Sequence, residues 1–264
     1  MRILLLDGYN LIHRARFGFG EGDFNVVFNF FRGLRPLVEK FTPDRVYFVL
    51  EGYPKENKTL LPEYKANRVR VEDSFYEQKN KIISLIKTCM PIDVIRHPDF
   101  ECDDVLYNIA KQWHTNDHVF IVSSDTDFIQ VYSDLNDVTI WNPIKKKVVI
   151  DPGYDYVLWK ALRGDKTDNI PGIKGIGDKT AEYLVNNKDM LEERKKDAEF
   201  NTQLERNISL IKFADLTGRM GECETHKSLP DWDTLKLEFE KMEFASMTND
   251  VSWKKFIETY KCIA

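Results

Sequence analysis

A chain of 264 residues with 42% hydrophobic and 12% aromatic content is long enough to bury a core and too apolar to be disordered. No apolar run reaches the ~18 residues of a membrane helix, and Arg2 is followed by only Ile3 to Leu6 before Asp7, too short for a secretory leader. Cys89, Cys102, Cys223 and Cys262 form no C-x-x-C pair, which argues against a zinc knuckle or a disulfide framework, and the net charge of −5 disfavours nucleic acid only if that charge is evenly spread.

Residues 2–6, RILLL, read as a buried strand ending at Asp7, and residues 45–50, RVYFVL, as a second ending at Glu51. Between them Val27, Phe30, Phe31, Leu34 and Val38 are spaced for a helix within residues 23–40. Helices are expected at about 72–89 and 101–114, a third strand over 93–96 before Glu101, and a fourth over 118–123 before Asp125. Strand and helix in alternation predict an α/β fold: a mostly parallel central sheet with helices on both faces. Gly18 to Gly22 reads as a flexible connection lacking the lysine of a phosphate loop, and Lys145 to Lys147 as a hairpin tip. His13, Arg14, Arg16 and Phe17 face either DNA or solvent. Beyond about residue 186 the pattern is charged and helical, with Leu210, Ile211, Leu235, Leu237, Phe239, Trp253 and Phe256 expected to pack inward.

Parallel α/β sheets build sites at the carboxyl ends of their strands. Asp7, Glu51, Glu101 and Asp125 all fall at or just after such ends, so one edge collects acids from four segments. Asp103 and Asp104 sit one turn beyond Glu101, where a helix N-terminus also favours acids; Asp125 and Asp127 are placed either to share an ion or to cap a turn. Carboxylates this close repel unless cations neutralise them, and an oxygen-only set selects a hard ion such as Mg²⁺, with Mn²⁺ as a substitute. Phosphodiester cleavage commonly uses two such ions, one activating water and one stabilising the leaving oxygen.

Residues 164–181, GDKTDNIPGIKGIGDKTA, join acids to backbone donors. Asp165 and Asp168 are three apart and would share a face if they begin a helical turn. Asn169 to Gly172 is a turn, Gly172, Gly175 and Gly177 let the chain pass tightly around Ile173 and Ile176, and a helix starts past Gly177 with Lys179 and Thr180 in its first turn. Its free N–H groups suit a phosphate. Removing the nine acids named above turns the net charge of −5 into +4, so the remainder is slightly basic and DNA is not excluded.

This stretch resembles the helix–hairpin–helix segment of the 5'-nuclease family of flap endonucleases and 5'-3' exonucleases, which includes bacteriophage enzymes and the N-terminal module of bacterial DNA polymerase I. Asp7, the E-x-D-D block of Glu101, Asp103 and Asp104, and the D-x-D of Asp125 and Asp127 extend the resemblance over most of residues 1–185. It implies a PIN-like nuclease domain over 1–152, with a helical arch at about 53–75, and a DNA-binding hairpin region with C-terminal helices over 153–264. It also implies a first Mg²⁺ on Asp7, Glu101, Asp103 and Asp125, a second on Asp127, Asp165 and Asp168 with Asp104 nearby, and a K⁺ ion at the hairpin. Glu51 stands where many relatives carry Asp. Tyr64 to Arg68 resembles the arch, so Lys65 and Arg68 would face the scissile phosphate, with Arg70, Gly172, Lys174, Gly175, Gly177, Lys179 and Thr180 on DNA. The expected activity is two-metal hydrolysis of DNA with 5' flaps or free 5' ends in primer or flap removal, by a cytoplasmic monomer of a bacterium or phage-infected cell. Cleavage of RNA in RNA–DNA hybrids, or structure-specific DNA binding without cleavage, are the alternatives. With no polymerase domain following, the resemblance is to the stand-alone phage type.

Overall fold

The computed structural model describes residues 1–20 and 22–263. Strands β1 (Arg2–Asp7), β2 (Arg45–Leu50), β3 (Asp93–Arg96), β4 (His118–Val122) and β5 (Val138–Asn142) run parallel, and β6 (Lys147–Val148) and β7 (Glu224–His226) close the two edges antiparallel, in the order β6-β5-β4-β1-β2-β3-β7. The expected mostly parallel sheet is present, with α1 (Gly8–Ala15), α2 (Asn25–Phe41), α3 (Lys55–Leu60), α4 (Asp73–Cys89) and α5 (Cys102–Trp113) between its strands.

β1 and β2 look uniformly apolar because both of their faces are buried. Successive side chains alternate between the faces. Leu4, Leu6, Val46, Phe48 and Leu50 enter one core with α2 and α4, while Ile3, Leu5, Tyr47 and Val49 enter the other with α5. The edge strands escape a reading by hydrophobic run: β6 is two exposed residues, and β7 is the polar trio Glu224, Thr225 and His226.

A third core lies under α6 (Tyr156–Arg163), α7 (Asp178–Asn186), α8 (Lys188–Lys195) and α9 (Ala198–Ile211), with Leu162, Ile170, Ile173, Leu184, Leu204 and Leu210 inside it. The closing helices α10 (Trp232–Lys241), α11 (Ala245–Thr248) and α12 (Asp250–Tyr260) return to the first core, where Phe239, Trp253 and Phe256 pack near Phe31. Leu237 departs from the expected inward packing and is 52% exposed. It lies midway between Leu235 and Phe239, the i and i+4 positions that form the buried stripe of α10, and so falls on the opposite side of the helix. No helix among the described residues is long and apolar enough to cross a membrane.

Candidate active site at the carboxyl rim of the sheet

Because β1 to β4 run parallel, the residues that follow them gather on one rim. Asp7 ends β1, Glu51 follows β2, and short connections bring Glu101 and Asp125 up from β3 and β4. Three of the four also cap the helix that begins next. Asp7 accepts the Asn10 N–H at 3.1 Å, Asp125 accepts the Asp127 N–H at 2.9 Å, and Glu101 forms a capping box with Asp104 at the start of α5. Cap and site therefore coincide: the helix N-termini aim their free N–H groups at the place where the carboxylates collect.

The first group is Asp7, Glu51, Asp103 and Asp125. Asp7 accepts the Ser123 hydroxyl at 2.7 Å and Glu51 the Cys102 N–H at 3.2 Å. Burial, with a contribution from the Asp125 charge, raises the Asp7 pKa to about 6. Burial and then the neighbouring Glu101 push Glu51 up to about 8, and Asp103 is driven well above the usual range by burial followed by the charges of Asp7, Asp125 and Glu51. Lys65 offsets part of this repulsion at both Glu51 and Asp103.

The second group is Asp127, Asp165 and Asp168, whose carboxylate oxygens lie within 4.8 Å of one another. Lys160, on α6, pairs with Asp127 and reaches Asp165 at 2.6 Å. Burial acts to lower the lysine pKa, but the two carboxylates outweigh it and hold the ammonium charged. Burial likewise acts to raise Asp165, and the contact with Lys160 leaves it below its ordinary value. Asp165 and Asp168 do not begin a helical turn as their spacing suggested. Gly164, at φ +79°, ends α6, and Asp165 then faces Ile170 as an isolated antiparallel bridge with N–H···O distances of 2.9 and 2.7 Å. The Asp165 carboxylate accepts the Thr167 N–H at 2.7 Å, a local bond that competes with helix formation.

Asp104 is bonded differently from its neighbours. Its carboxylate accepts the Ala214 N–H at 2.8 Å and the Glu101 N–H at 3.3 Å, tying α5 to the chain after α9, and burial raises its pKa to about 7.

Over this rim lies the segment after α3. The Tyr64 hydroxyl donates to Glu101 at 2.7 Å and Asp168 at 3.3 Å, Lys65 pairs with Glu101 and approaches Asp168 at 3.6 Å, and Arg68 pairs with Asp168 at 3.0 Å. Burial would lower the Lys65 pKa, yet Glu101 and Asp168 raise it above its ordinary value. Arg70 pairs with Asp73 instead, at 2.7 Å.

Adjoining this segment is the hairpin between α6 and α7. A Cβ on Gly172 would sit 2.1 Å from the Arg163 carbonyl oxygen, so only glycine lets the two passes approach, and Gly175 takes φ +81°. Ile173 is buried and Ile176 partly buried. Asn207 of α9 secures the loop by donating to the Ala161 and Pro171 carbonyls, both at 2.9 Å. Gly177 begins α7 without a side-chain cap, and Lys174, Gly175, Gly177, Lys179 and Thr180 are all exposed around that free helix end. Oxygen donors alone, held close enough for their charges to raise one another, suit a hard divalent cation.

Two family models divide this architecture: residues 2–157 match the 5'-3' exonuclease N-terminal resolvase-like domain, and residues 152–237 the 5'-3' exonuclease C-terminal SAM fold. The chain belongs to the 5'-3' exonuclease family. A 5'-3' exonuclease of Aquifex aeolicus is 28% identical across 94% of both chains, and DNA polymerase I of Treponema pallidum is 32% identical over 69% of this chain. The chain spans only 20% of that polymerase's length. A T5 5'-exonuclease with bound divalent metal ions (zinc) has the same fold, at a TM-score of 0.68 and 21% identity over 98% of each chain. A T5 D15 flap endonuclease in complex with DNA and metal ions superposes with a TM-score of 0.66 at 19% identity, over 99% of this chain and 100% of its own.

Within this family member, Lys160 is the site residue that the sequence reading overlooked. It sits in YVLWKALR, where Trp159 and Leu162 invite a packing reading and a lysine invites a solvent one.

Proposed function

We propose that this chain is a Mg²⁺-dependent 5' nuclease that hydrolyses phosphodiester bonds of DNA at 5' flaps and free 5' ends, leaving 5'-phosphate and 3'-hydroxyl products. One observation carries the reading: carboxylates from separate segments converge on the sheet rim under a basic segment that pairs with them, with Asp127, Asp165 and Asp168 within 4.8 Å of one another. Asp7, Glu51, Glu101, Asp103 and Asp125 are the residues we assign to one cation and Asp127, Asp165 and Asp168 to a second, with Asp104 anchoring the wall beside them. Bound Mg²⁺ would supply a Lewis acid for the phosphate and a lowered pKa for the attacking water.

The protein's own groups do the rest. Arg68, paired at 3.0 Å with Asp168 and exposed, exchanges that carboxylate for a phosphate oxygen when DNA arrives, and Lys65 offsets charge that develops on the phosphate. Lys160 keeps Asp165 ionised, offsets part of the burial that raises Asp127 to about 7, and orients both carboxylates. The amides around Gly175, Gly177, Lys179 and Thr180, with Lys174, hold duplex backbone away from the cut, and the hairpin carbonyls offer a K⁺ site shared with a DNA phosphate. We assign residues 1–152 to the nuclease domain and 153–264 to the duplex-holding region, acting as a monomer in primer or flap removal.

The test is cleavage of a 5'-flapped duplex labelled at either end, in Mg²⁺ and in EDTA, beside Asp125→Asn and with matched RNA and DNA 5' strands. Cutting near the junction that requires Mg²⁺, fails in the variant and prefers DNA supports the proposal. Tight flap binding with no product in Mg²⁺ or Mn²⁺ overturns it, and preference for the RNA strand reassigns the substrate.

A further inference from the structure

The segment carrying Lys65 and Arg68 is fastened to the hairpin loop by bonds that involve neither the acids' charge nor DNA. Asn169 donates its side-chain amide to the Glu63 carbonyl at 2.8 Å, and Asn67 donates in return to the Lys166 carbonyl at 2.8 Å. Between them the Lys65 N–H donates to the Asp168 carbonyl at 3.0 Å. The three bonds form a two-way clasp between residues 63–67 and 166–169. Beneath it, Leu61 and Tyr64 are buried in the hairpin core with Leu162 and Ile170 rather than in either core of the sheet.

The backbone of the clasp supports a positioning role. Lys65 takes φ +55° and Asn169 φ +58°. Asparagine enters this left-handed region readily, but a lysine there costs on the order of 1 kcal/mol and persists only where its surroundings hold it. The conformation has a use: it lets the Lys65 N–H meet the Asp168 main chain while its ammonium turns toward Glu101 and the Asp168 carboxylate. Arg68, three residues on, then pairs with the same Asp168. One short loop thus sets the relative positions of two cations and one carboxylate.

We infer that Asn67 and Asn169 are positioning residues, whose reciprocal amide clasp locks the arch cations Lys65 and Arg68 in register with Asp168, so that neither group is placed correctly without the other segment. The inference rests on the nuclease reading for its kinetic consequence, but the clasp itself can be read without cleavage.

The variant of choice is Asn169→Gly, which keeps the positive φ available and removes only the amide; Asn67→Ala removes the other. Each is expected to slow single-turnover cleavage at saturating DNA and Mg²⁺ about tenfold, the scale of a slightly misplaced reacting group, with duplex affinity in Ca²⁺ changed less than about twofold. In a Lys65→Ala background, Asn169→Gly is expected to cost less than about twofold further, because residues that act as one unit are not additive. Equal slowing in both backgrounds, or a loss confined to DNA affinity, would overturn the positioning role. Hydrogen exchange at the Lys65 amide is expected to quicken at least about tenfold in Asn169→Gly. Unchanged exchange would overturn the clasp whether or not the wild-type chain cuts DNA, so failure of the clasp and failure of the nuclease reading are separable.

Discussion

Lys160, 6% exposed between Asp127 and Asp165, is a cation that the fold supplies to its own acid site. Removing one partner from a buried ion pair leaves an uncompensated charge and costs ~3–5 kcal/mol. Lys160→Met is therefore expected to lower the unfolding free energy extrapolated from urea titration by about that amount in EDTA, and Mg²⁺ is expected to restore more stability to the variant than it adds to the wild type, since the freed carboxylates then have a replacement cation. Gly172 makes a second prediction at this scale. A methyl group there would press on the Arg163 backbone at 2.1 Å, and the backbone has no rotamer with which to yield. Gly172→Ala is expected to destabilise by ~1–3 kcal/mol, with the Tm falling and hairpin amides exchanging faster than those of β1 and β2.

At the scale of elements, the phosphate-holding role proposed for the hairpin is readable from salt dependence. Each phosphate neutralised on duplex DNA contributes about −0.9 to the slope of log K against log salt. Lys174→Ala with Lys179→Ala is expected to flatten that slope by about 1.8 if both exposed lysines meet phosphates, while single-turnover cleavage at saturating DNA stays near the wild-type rate because neither lysine lies on the carboxylate rim. How far such elements were legible depended on how many of their faces are buried. β1 to β4 announced themselves as apolar runs, and their order of ends predicted the rim on which Asp7, Glu51, Glu101 and Asp125 stand. β7 carried no such sign: Thr225 pairs with Ile95 through backbone bonds that need no apolar side chain. The Asp165–Ile170 bridge was hidden for a related reason, since a spacing of three suits both a helix face and a tight turn. The choice was made by Gly164 and by the Asp165 bond to Thr167. Lys160 and the Asn67–Asn169 clasp were illegible because each depends on two segments meeting, and no local pattern encodes a meeting.

For the whole molecule, the acid rim sets how stability responds to pH and to divalent cations. Asp7, Asp104 and Glu51, raised by burial to about 6, 7 and 8, hold protons in the folded chain that the unfolded chain has already released by about pH 5. Where the folded state binds more protons, unfolding becomes easier as pH rises, by about 1.4 kcal/mol per pH unit for each proton retained. Two opposing influences fall outside the window. Glu101 and Asp165, left below their ordinary values by Lys65 and Lys160 despite burial, are ionised in both states above about pH 6, and His13, lowered by burial and by nearby cations, favours the folded state as pH rises only up to about 6.5. Between pH 6.5 and about 8 the raised carboxyls therefore dominate, and in EDTA the Tm is expected to fall steadily across that interval. A cation that binds only the folded, ionised rim adds stability in proportion to its occupancy, and occupancy grows as the carboxyls lose protons. With saturating Mg²⁺ the fall is expected to vanish or reverse. Melting curves at half-unit steps with and without Mg²⁺ check this directly: parallel falls in both conditions would mean that the titrating groups are not those that take the cation, and would detach the raised carboxyls from the metal centre.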